Sequence, residues 1–75
     1  MQITSKIESA SVKVYANDIL HIHFMRDQFV GLQSYQYGAE PMFYIEITLE
    51  GGVISCDYDQ REMWINILAE LDKVR

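Results

Sequence analysis

Seventy-five residues, 49% of them apolar, with a formal charge of −5, describe one small globular domain and exclude a disordered chain. Six Lys and Arg against eleven Asp and Glu exclude a phosphate-binding surface, so neither nucleic acid nor an anionic membrane is an expected partner. A single cysteine excludes an intrachain disulfide, and the lack of a leader-like start or a membrane-length apolar run points to a cytoplasmic protein.

The first element expected in chain order is a strand over about 2–8, with Ile3 and Ile7 inward and a bend or bulge near Ser9. Strands over about 11–15 and 19–25 follow, joined through Ala16, Asn17 and Asp18, residues that suit a tight turn. A two-residue Asn17-Asp18 loop sets Val14 opposite His21 and Val12 opposite His23, which mixes apolar and polar faces. A three-residue loop sets Val14 opposite Leu20 and Val12 opposite Ile22 and keeps the faces apart, so it is the expected one. The other face then carries Ser11, Lys13, Tyr15, Ile19, His21 and His23 and is wet. His21 and His23 offer two imidazoles to one side, but zinc wants three or four ligands and Lys13 opposes His21, so no metal site is expected.

Arg26 to Gln28 reads as a turn and about 29–37 as a further strand, connected by Gly38 to Pro41 to a strand over about 42–50. Pairing across that four-residue loop sets Tyr35 opposite Tyr44, Leu32 opposite Ile47 and Val30 opposite Leu49. Val30 and Leu32 then join Phe43, Ile45, Ile47 and Leu49 on the core face. Phe29, Tyr35, Tyr37, Met42 and Tyr44 gather on the outer face as a patch of aromatic and thioether groups, the expected interaction surface.

A Gly51-Gly52 loop leads to a strand over about 53–58, setting Leu49 opposite Ile54, Ile47 opposite Cys56 and Ile45 opposite Tyr58. Cys56 is then an inward, small hydrophobe rather than a nucleophile. Glu46 falls opposite Asp57, and with Glu50 they form an acidic face; on a flat sheet without an enclosing pocket such carboxylates suggest no acid–base catalysis. The final element is a helix over about 60–74, with Asp59 as N-cap and Glu62 completing a capping box. At about 100° per residue, Met63, Trp64, Ile67, Leu68, Leu71 and Val74 share an arc of about 140°, leaving Ile65 the apolar outlier. Lys73 and Arg75 sit in the last turn, where the helix dipole favours cations. The apolar arc requires a sheet to lie on, and Trp64 reads as a core plug.

The hairpin from Tyr44 to Tyr58 followed directly by a helix with the early Trp64 resembles the end of pleckstrin-homology-like domains. The resemblance covers less than half of the chain. The turn at Ala16 to Asp18 has no basic residues where lipid-binding members carry them, so it implies a protein scaffold and not a lipid site.

The fold expected is α+β: an antiparallel meander of four to five strands with one C-terminal helix packed on one face. The function expected is a small, non-enzymatic protein-interaction module without cofactor, self-associating into a homo-oligomer through its aromatic outer sheet face. The alternative is a small acidic inhibitor or decoy that binds a basic site on a host protein.

Overall fold

Alternation of apolar and polar residues dominates the chain, and the computed structural model, which describes residues 2–74, turns it into six strands and one helix. The strands are β1 (Ile3–Ile7), β2 (Ser11–Ala16), β3 (Ile19–Met25), β4 (Phe29–Tyr37), β5 (Met42–Leu49) and β6 (Gly52–Tyr58), followed by α1 (Arg61–Asp72). They do not form one meander of four to five strands: β1-β2-β3 and β4-β5-β6 are separate three-stranded antiparallel sheets. A 3-10 turn at Arg26–Gln28 breaks the chain between them and lets the second sheet turn onto the first.

Both sheets bury one face in a common core. Val12, Val14, Ile22 and Phe24 of the first sheet meet Phe43, Ile45, Ile47 and Tyr58 of the second and Ile67, Leu71 and Val74 from the C-terminal segment. With a chain this short, neither sheet could bury enough apolar area alone, and sharing one core is the economical solution. The helix therefore lies against both sheets and not only against the β5 face. Its Trp64 ring sits 5.1 Å from that of Phe43, while Ser5 Oγ on β1 donates to Glu70 Oε1 at 3.1 Å.

The β2–β3 turn takes the two-residue form that the alternation disfavours. Asn17 and Asp18 both have positive φ, 50° and 66°, as a hairpin turn matched to strand twist requires. Ala16 pairs with Ile19 and Tyr15 with Leu20; the register then slips, so that Val14 pairs with Ile22 and Val12 with Phe24. His21 is the extra residue of this β-bulge, and the bulge restores Ile22 and Phe24 to the core face. Leu20, expected opposite Val14, is 50% exposed instead.

A second bulge sits at the start of β4. From Tyr37 opposite Met42 to Leu32 opposite Ile47 the pairing is the one expected, with Tyr35 opposite Tyr44, but Phe29 rather than Val30 pairs with Leu49. Val30 is consequently 61% exposed, and Phe29 turns inward to stack on Phe24 at 5.8 Å. The outward position expected for Phe29 and the core position expected for Val30 are exchanged by one inserted residue.

The β5–β6 register also differs from expectation. Leu49 pairs with Gly52, so the loop is Glu50-Gly51, and Ile47 pairs with Ile54, Ile45 with Cys56 and Phe43 with Tyr58. Moving a two-residue loop by one position shifts every partner by two, which leaves each side chain on its face; the hydrophobic pattern is blind to that difference. The expected cross-strand repulsion of Glu46 and Asp57 thus does not arise, since Glu46 faces Ser55 and Asp57 faces Tyr44.

Asp59 is not the helix cap. Strand β6 remains paired through Tyr58, so the chain uses both Asp59 and Gln60 to turn the corner, and Gln60 is the N-cap without a side-chain hydrogen bond. At the other end Lys73 Nζ meets Glu70 Oε2 at 2.6 Å; Arg75, also assigned to the last turn, lies outside the described residues.

Candidate functional site

On β5, alternation that sends Phe43, Ile45 and Ile47 into the core sends Met42, Tyr44, Glu46 and Thr48 to the opposite side. The flanking registers build a surface around them. Met42 lies beside Tyr37, and Tyr44 lies between Tyr35 and Asp57. Glu46 lies between Gln33 and Ser55, and Thr48 between Gly31 and Val53. Because the first sheet and the helix both occupy the inner side, this outer face remains open: Tyr35 is 45% and Tyr37 44% exposed.

Four of the five residues expected in the aromatic patch are brought together here, and Phe29 is not among them. Tyr35 and Tyr44 have ring centroids 4.9 Å apart, and Tyr35 and Tyr37 6.1 Å apart in an edge-on arrangement. Hydrogen bonds tie two of the three hydroxyls to strand β6. Tyr37 reaches over β5 so that its hydroxyl donates to Asp57 Oδ1 at 2.8 Å, and Tyr44 Oη donates to Ser55 Oγ at 3.1 Å. The acceptor carboxylate of Asp57 holds the Tyr37 hydroxyl protonated and moves its pKa upward. From below, Trp64 Nε1 donates to the Tyr44 carbonyl at 3.2 Å, tying the helix to the strand that carries the patch.

Of the acidic residues, Glu46 and Asp57 stand on this face in adjacent strands, whereas Glu50 lies in the β5–β6 turn. No Lys or Arg occupies an outward position of the second sheet. The patch is therefore aromatic and anionic at once, a chemistry suited to contact with cationic side chains through ring faces and carboxylates.

His21 and His23 part company. The bulge directs His21 to the boundary between the sheets, where its Nε2 lies 2.6 Å from the Tyr58 hydroxyl and the two rings are 5.7 Å apart. Burial pushes the Tyr58 phenol pKa up, and the neighbouring Cys56 thiol adds to the shift. His23 stays outward and pairs with Lys13, the residue expected opposite His21. Nothing in the sequence pattern marks the His21–Tyr58 contact, because it depends on a bulge and on the packing of one sheet against the other. Among the described residues, no three His, Cys, Asp or Glu are grouped to hold a metal ion.

A groove of about 360 Å³ lies between β4 and α1, lined by Leu32, Ser34, Ile65, Leu68, Ala69 and Asp72. No described helix is long and apolar enough to cross a membrane.

No protein-family model matches the chain, and no curated protein or solved structure is significantly similar to it.

Proposed function

We propose that this protein is a small, non-enzymatic interaction module that self-associates through the outer face of its second sheet. The observation that carries this reading is the tyrosine row: exposed Tyr35 and Tyr37, with half-buried Tyr44 and Met42 beside them, form one patch on the side away from the core. Tyr is enriched in interfaces because it offers large contact area at small entropic cost, and Met because its polarizable thioether adapts to the partner; monomers rarely leave such groups contiguous in water. The small size of the domain adds to the argument, since association supplies burial that a short chain lacks. Sedimentation velocity tests it: the wild type shifts to a larger species as concentration rises, while Tyr35→Ser with Tyr44→Ser remains a monomer of unchanged helix content. A wild type that is monomeric at every concentration removes the self-associating version.

A second reading, the acidic inhibitor or decoy, is favoured by one specific feature. Glu46 and Asp57 stand among the tyrosines on a sheet whose three strands carry no Lys or Arg, so the face suits a basic site on another protein. A complex formed through that face weakens with salt and is lost on Glu46→Lys with Asp57→Lys.

A further inference from the structure

The outer face of the first sheet is the electrostatic opposite of the outer face of the second. Strand alternation places Lys6 on β1, Lys13 on β2 and His23 on β3 in one cross-strand row, Lys6 paired with Lys13 and Lys13 with His23. No Asp or Glu occurs within these three strands; Glu8, just beyond β1, places its Oε1 3.9 Å from Lys6 Nζ. A lysine pair set directly opposite across two strands is unfavourable in an isolated sheet. It becomes favourable once an anionic surface covers it.

We propose that the first-sheet row of one copy docks on the tyrosine and carboxylate face of the next, so that the chain associates head to tail. This proposal rests on the self-association reading and names the partner surface. Lys6 and Lys13 supply the cations, Asp57 and Glu46 the counter-charges, and Tyr35 and Tyr44 the ring faces over which ammonium groups are held. Both rows step across three strands at the same spacing of about 4.8 Å, so the two faces match in pitch. Stacking the second-sheet face on a second copy of itself would set Asp57 and Glu46 of the two copies against each other, which disfavours the like-with-like alternative. The two outer faces both point away from the shared core, and contact between them is therefore intermolecular. Such a contact is heterologous: it closes into a ring or runs on as an open chain, and each copy uses both faces.

Two crippled variants separate this arrangement from others. One carries Lys6→Glu and Lys13→Glu and keeps the tyrosine face; the other carries Tyr35→Ser and Tyr44→Ser and keeps the lysine face. Each alone is expected to sediment as a monomer, and an equimolar mixture is expected to form a one-to-one dimer and nothing larger. Lys6→Gln with Lys13→Gln removes attraction without adding repulsion and provides the same test should the glutamate pair impair folding. Raising salt from about 0.05 M to about 0.5 M is expected to weaken wild-type association on the order of tenfold, as screening of exposed charges requires. If the lysine variants associate as strongly as the wild type, the head-to-tail arrangement is wrong while self-association through the tyrosine face stands. If the wild type is monomeric yet binds a lysine- and arginine-rich peptide, the face belongs to a foreign basic partner and the second copy is excluded.

Discussion

Strand β5 has two sides made by the same alternation, and they meet opposite fates. Inward, Phe43, Ile45 and Ile47 are 5%, 0% and 0% exposed and join two sheets and a helix in one core. Outward, Tyr44 and Met42 sit with Tyr35 and Tyr37 on a face that no other described element covers. The inner side is satisfied by burial within one molecule; the outer side is ordered by ring contacts and two tyrosine hydrogen bonds and still presents its apolar surface to water. The difference separates residues that make the fold from residues that the fold displays.

Substitutions on the two sides should separate stability from association. The largest loss is expected on the inner side: Ile47→Ala leaves a void in a fully closed site and should cost about 2–5 kcal/mol in urea unfolding, with Ile47→Val at about 0.5–1.5 kcal/mol. A loss on that scale threatens the folded state of so small a domain, so the valine variant carries the quantitative test.

Tyr58→Phe should follow, at about 1 kcal/mol for the lost contact with His21. It also alters the alkaline limb. The folded-state pKa of Tyr58 is raised above the ordinary tyrosine value of about 10, so its contribution is fully present below about pH 10 and is lost as pH rises above that. Thermal unfolding followed from neutral pH to pH 11 should show a fall in wild-type stability that the Phe variant largely lacks.

Tyr35→Ser with Tyr44→Ser comes next in stability terms. Cross-strand aromatic pairs are each worth about 0.2–1 kcal/mol, so unfolding should shift only slightly while association is abolished. Asp59→Ala should do least, under about 0.5 kcal/mol in the same urea assay, because the residue caps nothing; a true N-cap would cost about 1 kcal/mol.

The sequence displays the β4–β5 pairing openly, since a four-residue loop between two long alternating strands leaves one register that keeps Leu32 and Ser34 against Ile47 and Ile45. The same reasoning cannot detect His21 or Val30 as inserted residues, because a bulge is invisible to a period of two until the neighbouring apolar set forces it. It cannot choose between the Glu50-Gly51 and Gly51-Gly52 loops, which place the same side chains on the same faces. Nor does alternation tell how many sheets the strands make; that depends on the 3-10 turn at Arg26–Gln28 and on one core serving both halves. For the candidate surface, Tyr35, Tyr37, Met42 and Tyr44 are legible as one group, and Phe29 is misassigned by the bulge beside it. The complementary row of Lys6, Lys13 and His23 becomes visible only once the corrected β2–β3 register replaces His21 by His23 opposite Lys13.

Sedimentation equilibrium of the wild type, run beside Tyr35→Ser with Tyr44→Ser, tests the contact role of the outer face most directly. The wild type should show a mass rising above 8.8 kDa with concentration while the variant stays at the mass of one chain. A wild type that remains at 8.8 kDa throughout, or a variant that associates equally well, would contradict it.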